Sequence, residues 1–213
     1  MLRLYDYLPS QNAWKVRLLL NHLGLQYERT LVSIFEGECR TEAYLDKNPA
    51  GAVPVLEVAP RRFIAESNAI LCYLAEGTPY LPDEKFERAK VMQWLFFEQS
   101  YVEPQIGSLR YWTLTGKLTR HSPDAIAGKR AYGMRALAAL ERQLSASDFL
   151  AARHYSIADM AIFAYAALAE EAGFDLAPFP AFRAWIARVR GQPGFLAEMH
   201  PYSIDRNSTK ELG

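Results

Sequence analysis

The spacing of apolar residues changes character near residue 77, and that change divides the chain. Before it, short strand and helix patterns alternate. Leu2 and Leu4 alternate with Arg3 and Tyr5, the period of a half-buried strand. Pro9-Ser10-Gln11-Asn12 is turn-forming, and Val16, Leu19, Leu20 and Leu23 then recur at helical spacing up to a stop at Gly24. Residues 27–34 are rich in strand formers, and 41–45 suit a short helix. Strands at 53–58 and 63–65 flank a turn containing Pro60. Ser67 is placed to cap a helix whose apolar face is Ile70, Leu71 and Leu74. The order βαβ then ββα predicts a mixed sheet with helices over its faces.

Gly77-Thr78-Pro79-Tyr80-Leu81-Pro82-Asp83 interrupts helix and strand alike. Everything after it reads helical. Val91, Trp94, Leu95 and Glu98 share one long helix, which Pro104 is expected to bend or end. Ser122-Pro123 is an N-cap with proline at the first helical position, and Leu137, Leu140 and Leu144 share the face that follows. Ser156-Ile157-Ala158-Asp159 reads as a capping box opening an apolar helix through Ala169. Phe182, Trp185, Ile186 and Val189 mark the last helix, stopped by Gly191 and Pro193. The tail after Met199 shows no period and is expected to be loose. The fold class is therefore an α/β, thioredoxin-like N-terminal domain at 1–77, a linker at 78–86, and an all-α helical-bundle domain at 87–213.

Composition narrows the functional classes. Half of the 213 residues are hydrophobic, enough for a sizeable core. Formal net charge is zero, so electrostatics give no case for nucleic acid or an anionic membrane. No apolar run approaches the ~18 residues of a membrane span. Met1 leads directly into a strand pattern without a signal peptide, so a cytoplasmic location is expected. Cys39 and Cys72 are not spaced as a metal or redox motif and read as small buried residues. The four histidines show no ligand spacing, and no metal is expected.

The chemistry concentrates in two stretches. Asn48-Pro49-Ala50-Gly51-Ala52-Val53-Pro54 delivers a Val-Pro step into a strand, and Glu66-Ser67 stands at a helix start. A helix N-terminus offers unpaired N–H groups and a positive dipole end to a carboxylate, and an adjacent acid suits an ammonium. Together they can hold both charges of an α-amino acid. The pattern resembles the glutathione site of the cytosolic glutathione transferases, and the domain order and capping box extend the resemblance over nearly the whole chain. It implies that a cis Val53-Pro54 step pairs with the peptide backbone of glutathione and that Glu66 and Ser67 hold its γ-glutamyl end. The residue before Val53, often basic in bacterial relatives, is Ala52, so the basic contact is either missing or supplied by Lys15, Arg40 or a partner subunit.

Ser10-Gln11-Asn12-Ala13-Trp14-Lys15-Val16-Arg17 is similar to the serine-type, theta and zeta classes. The resemblance implies Ser10 as the hydroxyl facing the glutathione sulfur, with Asn12 nearby. A thiol of pKa ~8.5 is only a few per cent ionised at pH 7, so a donor to the thiolate is needed. Capping the helix and donating to sulfur are expected to compete partly for the Ser10 hydroxyl. Tyr5 and Tyr7 are rivals, because other classes use a tyrosine after the first strand. Tyr7, Tyr101, Tyr111 and Trp112 are the candidates to line the second-substrate pocket. The expected function is a homodimeric glutathione transferase, acting in detoxification, that directs the thiolate at a hydrophobic electrophile. The alternatives are a glutathione-dependent disulfide reductase, peroxidase or isomerase, or a protein-binding module that keeps the fold without the chemistry.

Overall fold

The computed structural model of the protein describes residues 1–151 and 154–212. They form two compact units, Met1–Leu74 with Pro193–Gly213, and Ala75–Gln192. In the first, β1 (Leu2–Asp6), α1 (Gln11–His22), β2 (Tyr27–Leu31), α2 (Glu42–Leu45), β3 (Val55–Ala59), β4 (Arg62–Ile64) and α3 (Ser67–Ala75) follow in order. The sheet runs β2-β1-β3-β4, with β2 parallel to β1 and the other pairings antiparallel. β3 begins at Val55, two positions later than its apolar run, because Pro54 has no N–H for a ladder. β2 stops at Leu31, although Val32 N still donates to the Asp6 carbonyl at 2.8 Å. Its exposed side chains mark it as a sheet edge.

Residues 193–213 differ from expectation: they belong to the first unit, not to the helical domain. The segment is tied down by side chains of α1 and of the loop before it. Asn21 Nδ2 donates to the Gly194 carbonyl at 2.9 Å, and Trp14 Nε1 to the Leu196 carbonyl at 3.2 Å. Tyr7 donates to Asp205 Oδ2 at 3.0 Å. Hydrophobic periodicity does not reveal such a segment, because it is held by side-chain bonds to two carbonyls and a carboxylate and by isolated ring contacts of Phe195 with Trp14 and Tyr202 with Tyr7.

In the second unit, α4 (Lys85–Phe97) continues through a π-helical stretch, Glu98–Gly107, into α5 (Ser108–Leu114). Pro104 therefore does not end the helix. The wider i→i+5 turn carries the chain past a residue that lacks an N–H and would clash in a tighter one. The linker expected at 78–86 lies in this compact unit: Tyr80 accepts a bond from Ile157 N at 3.0 Å and packs edge-on against Tyr155. Then come α6 (Pro123–Leu144), capped by Ser122, α7 (Ile157–Ala166) and α8 (Pro180–Arg190).

Every residue of α7 is buried, and Asp159 in its first turn is the polar centre of the unit. The expected capping box is present, with Ser156 N donating to Asp159 Oδ2 at 3.0 Å. Asp159 Oδ1 also accepts from Leu150 N at 3.0 Å and Trp185 Nε1 at 2.9 Å, which binds α7 to α8. Burial pushes this carboxyl up from 3.8 to about 6, against the bonds from Trp185, Leu150 and Ser156. A raised pKa means that the folded state holds the proton more tightly than the unfolded chain. Its stabilisation is complete below about pH 4 and is lost as pH rises through about 6. In Asp159→Asn that dependence should vanish. Urea titrations of both proteins should show the wild-type advantage shrinking by up to roughly 3 kcal/mol between pH 4 and 7. An advantage that stays level or grows contradicts the assignment.

Candidate active site

β1 ends at Asp6 and α1 starts at Gln11, so residues 7–10 must turn the chain. Arg17, one and a half turns into α1, fixes that turn from beneath. Its Nη1 meets Asp6 Oδ1 at 2.6 Å and its Nη2 donates to the Leu8 carbonyl at 2.9 Å. Both side chains are buried, Arg17 at 4% and Asp6 at 0% exposure. Ser10 closes the turn through its N–H to the Tyr7 carbonyl at 2.9 Å.

Ser10 is the N-cap of α1, with φ −68° and ψ 122°, and its Oγ accepts from Ala13 N at 3.2 Å. The cap uses an oxygen lone pair and leaves the O–H proton in place. No described residue accepts that proton. Capping and donation therefore do not compete, as the sequence reading expects them to. Both rival phenols are committed to carboxylates: Tyr5 donates to Glu57 Oε2 at 3.3 Å and Tyr7 to Asp205 Oδ2. A phenol bonded to an anion is a poor donor to a second one.

The two chemically marked stretches meet at Ser67, whose Oγ donates to Asn12 Oδ1 at 3.2 Å. Ser67 is thus the first residue of α3 and not the cap before it, since Ile70 N bonds back to the Glu66 carbonyl. Glu66 has φ +65°, a left-handed conformation that costs a non-glycine residue of order 1 kcal/mol or more and is held by its surroundings. Its carboxylate is exposed, while Ser67 is buried. The Val53-Pro54 peptide is cis. The chain leading into it is pinned at the Ala52 carbonyl, which accepts from Tyr44 OH at 3.0 Å and Asn48 Nδ2 at 2.8 Å. Val53 itself is only half-buried.

The basic candidates separate. Lys15, a candidate basic contact, is fully buried in α1. Arg40 is exposed and donates to the Ala50 carbonyl at 3.1 Å, just before the Val-Pro step. In the second unit, Tyr101 on the π-helical stretch is 56% exposed and packs on Phe97. Tyr111 on α5 accepts from Lys117 Nζ at 2.7 Å, and Trp112 stacks on His121 with ring centroids 3.4 Å apart. Among the described residues no group of His, Cys, Asp or Glu could hold a metal, and no helix is long and apolar enough to cross a membrane. Cys39 is buried, which pushes its thiol pKa up.

Two features of the site are not legible as motifs. One is the Asp6–Arg17 pair. The other is a 400 Å³ cavity in the first unit, where residues 204–207 face the loop after β1 and the end of β2.

Comparison with known proteins agrees with this geometry. Residues 9–76 match the glutathione S-transferase N-terminal domain, and residues 123–188 the C-terminal domain. The disulfide-bond oxidoreductase YfcG of Escherichia coli is 30% identical over 200 residues, covering 91% of this chain and 92% of its own. The crystal structure of a possible glutathione S-transferase from Rhodopseudomonas palustris superposes with a TM-score of 0.89 at 43% identity, covering 92% of this chain and 97% of that one. The glutathione transferase URE2P6 of Phanerochaete chrysosporium, in complex with oxidized glutathione, gives 0.81 at 28% identity, covering 91% and 92%. The chain belongs to the glutathione S-transferase family.

The Arg17 contact yields a direct prediction. Arg17→Leu leaves the buried Asp6 carboxylate without its cation and should cost about 3–5 kcal/mol of stability. The double variant with Asp6→Leu should recover part of the loss. Denaturant midpoints measure both, and a midpoint unmoved in Arg17→Leu would show that the pair does not hold the turn.

Proposed function

We propose that the first unit binds glutathione, that Ser10 holds its sulfur as the thiolate, and that the thiolate attacks a small hydrophobic electrophile. The observation that carries this reading is the Ser10 hydroxyl: fixed by the α1 cap, half-buried, and with a proton that no described residue accepts. Lowering a thiol pKa of ~8.5 by about two units takes ~2.7 kcal/mol of preferential interaction with the anion. A charge-assisted hydrogen bond of ~1.5–3 kcal/mol, with the positive end of α1 behind it, is of that size. Asn12 supports the same anion through its amide N–H, because its Oδ1 is occupied by Ser67.

The remaining assignments follow the chemistry of the ligand. Val53 offers backbone groups to the cysteinyl peptide unit beside Pro54, Glu66 takes the α-amino group, and Ser67 takes the α-carboxylate through its backbone N–H at the start of α3, since its O–H is donated to Asn12. Arg40 is the basic contact. Tyr7 lines the second-substrate site, and the protein works as a cytoplasmic homodimer in detoxification. A second reading is reduction of a disulfide by glutathione. It is favoured by the similarity to YfcG, which is named a disulfide-bond oxidoreductase, and it leaves Ser10 with the same task.

Ser10→Ala tests the reading. Thiolate absorbance of bound glutathione against pH should show the pKa raised by about one to two units, the equivalent of one lost bond to an anion. Conjugation should slow at neutral pH and recover at high pH, with glutathione affinity nearly intact. An unchanged profile in Ser10→Ala, with a shifted one in Tyr5→Phe or Tyr7→Phe, would reassign the donor. Calorimetric titration should show Glu66→Ala weakening glutathione by about 1.5–3 kcal/mol, and Ser67→Ala weakening it by less, through loss of the bond to Asn12. Unchanged affinity in both would remove them from the site.

A further inference from the structure

The 400 Å³ cavity of the first unit lies within the size range of small-molecule sites. Its wall includes Tyr7, Leu8 and Pro9, the residues immediately before Ser10. Opposite them stands the C-terminal segment, latched there by the bond from Tyr7 to Asp205. Leu31 and Ile204, both more than half exposed, contribute apolar surface. The lining also carries two exposed and opposite charges, Glu36 and Arg206. They form no ion pair with each other, and neither has a partner among the described residues. Asp6 lies in the same wall, with Oδ1 bonded to Arg17 and a buried Oδ2 that meets no described donor. The Asp205 carboxylate is different: Tyr7 OH occupies one oxygen and Asn207 N the other at 2.8 Å.

An uncharged apolar ligand would leave these groups unused, and a singly charged one would leave its like charge facing it. A zwitterion uses both. We propose that this cavity is the acceptor subsite and that it selects acceptors with an apolar body and an amino-acid end. The ammonium lies toward Glu36 and the Asp6 wall, the carboxylate lies on Arg206, and the apolar body lies between Leu31 and Ile204. Arg206 suits a carboxylate because its planar fork can make two parallel bonds to it. The proposal rests on the reading that Ser10 holds the glutathione sulfur, since that places the attacking atom beside this wall. It adds that the C-terminal segment sets acceptor preference.

Three unreactive probes with one apolar body separate the charges. S-benzylcysteine is the zwitterion, N-acetyl-S-benzylcysteine keeps only the anion, and S-benzylcysteamine keeps only the cation. Each is titrated calorimetrically into the full-length protein saturated with S-methylglutathione. The zwitterion should bind about three- to tenfold tighter than either singly charged probe, as expected for partly exposed charge contacts. Glu36→Gln should remove its advantage over the anion, and Arg206→Gln its advantage over the cation. Equal affinities for all three probes in the wild type overturn the proposal. So does an advantage that survives both substitutions, or displacement of the zwitterion by S-methylglutathione. The titrations involve no turnover, so they are independent of the Ser10→Ala profile. A failed thiolate assignment and a failed acceptor subsite therefore give different results.

Discussion

The buried guanidinium of Arg17 decides where the Ser10 hydroxyl can stand. One arm of the fork holds the Asp6 side chain at the end of β1, and the other holds the Leu8 carbonyl in the turn that follows. Asp6 is fixed again through its own carbonyl, which accepts from Val32 N beyond β2. The turn thus has little freedom, and Ser10 arrives at the first N–H groups of α1. A donor held this way costs no reorganisation when charge appears in front of it. Tyr7 shares the turn but points its proton at Asp205. Backbone geometry and the committed phenols support the proposed role of Ser10.

The helical unit uses a buried charge in a similar way. Asp159 gathers donors from Leu150, Ser156 and Trp185, so one carboxylate holds the start of α7, the loop before it and α8 together. Such groups contribute little net stability over an apolar replacement, but removing one partner is costly because the others are left unpaired. Their effect is to specify one arrangement. In the first unit that arrangement is the turn that carries Ser10. In the helical unit it is the core, where all of α7 is buried.

The fold was legible where periodicity and caps agree. The alternating start, the helix closed at Gly24 and the Ser156–Asp159 box all correspond to elements of the structure. The reading ran out where a long-range bond outweighs local pattern. Pro104 was expected to bend or end its helix, and instead a π-helical stretch carries the helix through it. Ser67 looked like a cap, but its hydroxyl is taken by Asn12, 55 residues earlier in the chain. Lys15 was a candidate basic contact by position alone, and its full burial in α1 carries no sequence signal. The tail after Met199 carries no period, and its attachment through Asp205 depends on a partner 198 residues away. Single-sequence patterns report which face is apolar. They do not report which distant polar group will meet it.

The central claim is that the Ser10 hydroxyl, and no phenol, holds the glutathione sulfur. A crystal structure with glutathione bound tests it most directly. The sulfur should lie within hydrogen-bonding distance of Ser10 Oγ, with Tyr5 and Tyr7 still on Glu57 and Asp205. A sulfur bonded to the hydroxyl of Tyr5 or Tyr7, with Ser10 turned away, would contradict the account.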